Sequence, residues 1–115
     1  NTVKAMYQHD TKVRAGNETL KRFAGPALKQ ALNRQDQYQT RMGEICGLDY
    51  DVLWQSQDPN YKAKLNYSLT PNGQVKVKID KESVNYAVAC SGNSCKIIDV
   101  LSGGSVTKMI NQECH

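Results

Sequence analysis

Two cysteines with four turn-forming residues between them, in the run Cys90-Ser91-Gly92-Asn93-Ser94-Cys95, constrain this chain more than any other feature. Apolar residues alternate with polar ones on both sides of the run, and an antiparallel hairpin folded there sets the two sulfurs side by side. The cysteines number four, an even count in a short chain, which reads as a disulfide framework. Cys46 and Cys114 are then left for a second bridge, tying the end of the N-terminal half to the C-terminus. Closing so long a loop stabilises a fold by about 4–5 kcal/mol in the chain-entropy account. A zinc site lacks ligands: there is no second close cysteine pair, and the two histidines, His9 and His115, stand near the termini. Disulfides place a protein in the periplasm or outside the cell.

The rest of the composition fits a water-soluble domain. At 115 residues the chain has the length of one domain, 1–115, and buries about two-thirds of its unfolded surface. No apolar run approaches the ~18 residues of a membrane span. The chain starts at Asn1 without an initiator Met or an apolar leader, as a mature, processed protein or a trimmed chain does.

Two periodicities divide the sequence. In "TVKAMYQHDTKVR", Val3, Met6, Tyr7 and Val13 fall near one helical face. Asn17 is a suitable N-cap for the next segment, where Leu20, Phe23, Ala24, Ala27, Leu28, Ala31 and Leu32 keep helical spacing. Gly25-Pro26 interrupts it, which predicts a short helix, a restart at Pro26 and a longer helix to about Met42. Beyond residue 60 the period is two. "KAKLNYSL" puts Ala63, Leu65, Tyr67 and Leu69 on one face, "TPNG" turns the chain, and "QVKVKID" resumes with Val75, Val77 and Ile79 inward. "SVNYAVAC" is a third strand. "CKIIDVL" is the fourth, its consecutive apolar residues calling for cover on both faces. Ser105 caps a short final helix. Helices first and a meander of strands afterwards define an α+β fold, with N-terminal helices packed on an antiparallel sheet of about four strands.

Between the halves lies "CGLDYDVLWQSQDPNY", residues 46–61. It holds the only Trp, two of the six Tyr and three Asp, without either periodicity. It is either a strap packed across the core or the mouth of a binding site. Asp49, Asp51 and Asp58 lack the spacing of a calcium loop. Trp54, with Tyr50 and Tyr61, is either the largest plug of the core or an aromatic anchor. Lys62, Lys64, Lys76 and Lys78 are expected on the solvent face of one hairpin, where they form a cationic platform or simply resist edge aggregation. No aromatic residue interleaves with them, as base stacking requires, so nucleic acid is not an expected partner. No catalytic set of Ser, His, Cys and Asp and no phosphate-binding loop is apparent. The expectation is a non-enzyme without cofactor or metal.

The order "LKRFAGPALKQAL", "WQSQD", "AKLNYSL", "GQVKVKI", "CKIIDVL" and "SGGS" resembles a family of small bacterial periplasmic proteins with a domain of unknown function. The resemblance implies a nuclear-transport-factor-like, or cystatin-like, fold in which helices pack in the hollow of a curved antiparallel sheet. The family's late strand usually carries a Trp ahead of an "I-D-D-I"-like run, and here Cys95 stands in that place. The resemblance further implies a non-catalytic protein, some members being immunity proteins that protect a bacterium from antibacterial toxins. The expected role is therefore a periplasmic immunity protein that neutralises an effector, with Asp49, Tyr50, Asp51, Trp54, Asp58 and Tyr61 as contact surface and the four lysines second. A small-ligand carrier predicts a concavity lined by Tyr7, Phe23, Trp54 and Tyr86. A structural subunit of an envelope or secretion assembly predicts self-association or an edge strand open for pairing.

Overall fold

The first apolar stripe folds as a helix with one substitution in its face. In the computed structural model, which describes residues 1–115, α1 spans Thr2–Val13 and the Asn1 side chain caps it by accepting from the Lys4 amide. Its buried face is Val3, Met6, Tyr7 and Asp10, the i, i+3, i+4, i+7 pattern of a core stripe with an acid in the last place. Val13, expected on that face, is 49% exposed. One turn further along, α1 ends in a left-handed Arg14.

Two helices follow with the break where Gly25-Pro26 requires it: α2 at Asn17–Phe23 and α3 at Pro26–Met42, with Pro26 at the start of α3. The N-cap of α2 is Gly16 rather than Asn17. The Asn17 side chain is committed elsewhere, as described below. Leu28, Ala31, Leu32 and Gln35 form the buried face of α3, while Ala27 is exposed.

The second half is a four-stranded antiparallel meander, β1 (Leu65–Leu69), β2 (Val75–Ile79), β3 (Glu82–Ser91) and β4 (Ser94–Leu101), in the order β1-β2-β3-β4. A final helix, α4 (Val106–Glu113), is capped by Ser105, whose hydroxyl accepts from the Lys108 amide. Alternation decides the faces: Val77, Ile79, Val84, Tyr86, Ile97 and Val100 are buried against the helices, and Lys76 and Lys78 stand on the other face. The fold is α+β, as the sequence predicts.

Two details of the sheet depart from expectation. β1 starts at Leu65, so Lys62 and Lys64 precede the strand and only Lys76 and Lys78 belong to the hairpin proper. All four are exposed. The consecutive Ile97 and Ile98 do not mark a strand covered on both faces. The β3–β4 register shifts between Ala87 and Val88, so that Ala87 faces Asp99 and Val88 faces Ile97. Ile98 is the extra residue of a β-bulge and is 45% exposed.

Both expected bridges are formed. Cys90 and Cys95 are directly opposite residues of the β3–β4 hairpin, with Cα atoms 4.0 Å apart. Cys46–Cys114 joins the segment after α3 to the end of α4 across 68 residues of sequence. Loop length ranks the two bridges. Replacing Cys46 and Cys114 together by Ala is expected to lower unfolding stability by about 4 kcal/mol. The Cys90/Cys95 pair, closing a short loop, is expected to contribute about 2 kcal/mol. Urea denaturation of the two double variants checks the ranking, and equal losses would contradict it.

Candidate functional site

Residues 46–61 form a strap without regular structure that crosses the helices, and side chains from the helices hold it at each step. The Gln39 side-chain amide donates to the Cys46 carbonyl at 3.3 Å, and Gln35 Oε1 accepts from the Leu48 amide at 2.6 Å. Asn17 grips the strap with both ends of its amide, donating to the Tyr50 carbonyl at 2.9 Å and accepting from the Val52 amide at 3.1 Å. Gly47 has room for no side chain: a Cβ there would lie 2.3 Å from Gln35 Oε1. Beyond the clamp, Val52, Leu53 and Trp54 plunge into the core.

The strap is anchored on a buried carboxylate. Asp10 is fully buried. Its Oδ1 accepts from the Ala15 and Gly16 amides, each at 2.9 Å, and from the Thr19 hydroxyl at 2.6 Å. Its Oδ2 accepts from the Trp54 indole Nε1 at 2.7 Å. Burial opposes ionisation of this group, but the hydrogen bonds from Thr19, Trp54, Gly16 and Ala15 outweigh it, and the pKa falls below its usual value. Around this point Trp54 meets Tyr7 and Tyr61 edge to face, at 5.4 and 5.2 Å between ring centres. The Tyr7 hydroxyl donates to the Leu53 carbonyl at 2.5 Å and sits 2.7 Å from the Tyr86 hydroxyl. Burial raises the pKa of both phenols, so they remain neutral.

These contacts sort the sequence-predicted residues. Trp54 is 3% exposed, so it is the core plug and not a free aromatic anchor. Asp51 turns inward: its Oδ1 accepts from the Leu53 and Trp54 amides at 3.0 and 3.4 Å, forming the turn that inserts the indole. Burial, with the nearby charge of Asp10, lifts Asp51 to about 6 even though those amides pull the other way. Gly16 allows its approach, since a Cβ on Gly16 would stand 2.6 Å from Asp51 Oδ2. Tyr50 is half-buried and its hydroxyl lies 3.1 Å from that of Ser102. Asp49 and Asp58 remain exposed, and the half-buried Tyr61 carries Arg14 over its ring at 4.8 Å. The three strap acids thus divide between a structural role for Asp51 and a solvent-facing position for the other two.

Solvent reaches the strap at an open groove of about 710 Å³ between residues 54–63 and the β2–β3 turn. Its floor is formed by Ala63, Ile79 and the edge of Trp54, and its walls carry Asp58, Asp80, Glu82 and Lys81. Sequence reasoning found Asp58 but missed Asp80 and Glu82. They lie some twenty residues along the chain, at the tight turn where Ile79 pairs with Glu82, and only the meander brings them to the strap. The concavity expected of a ligand carrier is not where it was predicted. Tyr7, Trp54 and Tyr86 fill the core; Trp54 shows only an edge to the acidic groove, and Phe23 lines a separate cavity. That cavity, of about 620 Å³, lies between the start of α1, the end of α2 and the Cys90–Cys95 hairpin, with Arg22 and Lys96 at its rim.

No protein-family model, curated protein or solved structure matches the chain.

The two neighbouring acids give stability a definite pH profile. Asp10, lowered from 3.8, contributes stability above that value and loses it as the pH falls. Asp51 binds its proton more tightly folded than unfolded, so stability falls as the pH rises through the window from 3.8 to about 6. From these two groups the maximum lies at or just below about pH 4, where the Asp10 contribution is nearly complete and the Asp51 loss is only beginning. Asp51→Asn keeps an amide acceptor and removes the charge. It is expected to stabilise the protein at neutral pH by about 1–2 kcal/mol, after discounting for solvent screening, and to flatten the decline toward neutrality. Denaturant unfolding across the range tests this, and an Asp51→Asn variant less stable than the parent at neutral pH would contradict it.

Proposed function

We propose that this is a non-enzymatic, extracytoplasmic binding protein that captures a cationic segment of a protein partner in the groove walled by Asp58, Asp80 and Glu82. The groove carries the reading. It combines an apolar floor with three carboxylates against a single lysine on a scaffold pinned by two disulfides and by the Asp10 anchor. An Arg or Lys side chain laid on such a floor gains packing for its stem and charge complementarity for its head. A rigid acidic cleft of this kind suits occlusion of a basic functional surface, which is how an immunity protein neutralises an antibacterial toxin. That role, in the periplasm, is the specific form of the proposal. The two disulfides support an oxidising compartment, and no helix is long and apolar enough to cross a membrane.

A second reading has its own observation. The cavity beside the Cys90–Cys95 hairpin joins apolar walls, from Val3, Phe23 and Val88, to the cations Arg22 and Lys96, a lining suited to a small amphipathic anion.

Capture from native periplasmic and secreted fractions without reductant, followed by mass spectrometry, distinguishes the two. The expected result is one dominant protein at near-equal stoichiometry. Its binding should weaken at least about tenfold in an Asp58→Lys/Glu82→Lys variant, in line with the loss of opposed charges at an interface. Binding should be unchanged in Arg22→Ala. Absence of any stoichiometric protein, or a partner indifferent to the charge reversal, would overturn the groove as the binding surface.

A further inference from the structure

The two edges of the sheet are treated differently. At β4 the chain covers its own edge: the Gly25 amide donates to the Ile97 carbonyl at 2.8 Å and Ala24 bridges Ile97 in parallel. At β1 nothing comparable occurs. The β1–β2 register pairs Leu65 with Ile79 and Leu69 with Val75. The flanking bonds, Thr70 amide to Gln74 carbonyl and Asp80 amide to Lys64 carbonyl, show which residues face β2. Lys64, Asn66, Ser68 and Thr70 spend their backbone groups on β2. By the antiparallel alternation, Leu65, Tyr67 and Leu69 therefore direct theirs outward. None of these six N–H and C=O groups has a partner in the chain.

The open edge is self-complementary. Its sequence, Leu65-Asn66-Tyr67-Ser68-Leu69, reads as apolar, polar, apolar, polar, apolar in both directions about Tyr67. We propose that β1 pairs with β1 of a second copy, antiparallel about a two-fold axis through Tyr67, to give a continuous eight-stranded sheet. In this register Tyr67 exchanges two backbone bonds with Tyr67 of the second copy, and each Leu65 exchanges two with the opposing Leu69. All six outward groups of each copy are satisfied, which a shift by one residue would prevent. Leu69, the most exposed large apolar residue of the chain at 77%, comes to lie beside the opposing Leu65. A strand interrupted by proline, a bulge or an inward charge resists such pairing, and β1 contains none of these.

Area and charge set the strength. A seam of five residues buries less than the ~1,200 Å² of standard interfaces, so the dimer is weak, with a Kd of about 10–100 µM expected for a contact of that class. No charged side chain lies within the paired segment. Lys64 falls just outside it, opposite Thr70 of the second copy, and Lys4 lies over the Tyr67 ring at 6.0 Å. Lys4 and its counterpart, each beside a central Tyr67, repel across the seam, so association tightens with salt rather than weakening.

Sedimentation equilibrium from about 5 µM to 1 mM, spanning that Kd, tests the pairing together with amide exchange resolved by residue. The expected result is a monomer–dimer equilibrium in which the Leu65, Tyr67 and Leu69 amides gain protection with concentration. Leu69→Lys should weaken the dimer at least about tenfold while the circular dichroism spectrum and melting temperature stay as in the parent, since an exposed site tolerates charge. A monomer throughout, or a dimer in which those three amides exchange as fast as in the dilute protein, would overturn the proposal. So would a dimer that Leu69→Lys leaves intact.

Discussion

The Asp10 carboxylate is the point on which the structure is assembled. A carboxylate removed from water is tolerated only when its lone pairs are satisfied, and here four donors converge on it from the α1–α2 connection, from α2 and from the strap. Each donor fixes a different piece of chain. The Ala15 and Gly16 amides fix the turn after α1, Thr19 sets the angle of α2, and the Trp54 indole locates the strap. The strap then delivers the Leu53 carbonyl to the Tyr7 hydroxyl, whose contact with the Tyr86 hydroxyl bridges helix to sheet. No buried side-chain nitrogen or oxygen lacks a partner, so the polar centre of the core is closed on itself.

That arrangement determines what its neighbour must do. Burial first, and the nearby ionised Asp10 second, penalise a charge on Asp51, and its carboxyl carries that penalty. Its position is needed for geometry, since its oxygen gathers the two amides that turn Trp54 inward. Paired acids with divergent pKa values are familiar as catalytic devices. The present pair has another use, because Asp10 is sealed beneath Trp54 and Asp51 is engaged with strap amides, and neither lines one of the larger grooves. The crowding of two carboxylates is accounted for here by the insertion of one large aromatic residue.

The same physics explains what the sequence made legible. The Cys90–Cys95 disulfide, the restart at Pro26, the meander and the Ser105 cap depend on local spacing or on turn chemistry, and each was readable without knowledge of the rest. Cys46–Cys114, 68 residues apart, followed only by elimination once the hairpin pair was assigned. Residues whose roles depend on distant partners were not. Asn17 has the chemistry of a cap and serves as a clamp because the strap arrives beside it. Ile98 looked like core because a bulge cannot be seen in a hydrophobic pattern. Asp10 did leave a signal: an acid at the fourth position of an apolar stripe marks a buried charge seeking partners, and the lone Trp forty-four residues on supplied one. The acidic groove was half legible, through Asp58, because its other wall belongs to a turn that only tertiary structure brings near.

Groove and open edge are contiguous, and their geometry links the two proposals. Ala63 is in the groove and Lys64 adjoins the first residue of β1. Pairing about Tyr67 would carry each groove to an opposite end of the shared strand pair. With a rise of about 3.4 Å per residue, the eight residue steps between the two Ala63 positions amount to about 27 Å. A weak dimer would thus display two acidic grooves at fixed spacing, and a partner with repeated cationic segments would be held by both. Because the second contact becomes intramolecular, binding to such a partner would exceed what either groove provides alone. A partner with a single segment gains nothing from pairing, so the advantage of an open β1 edge depends on how many cationic segments the partner presents.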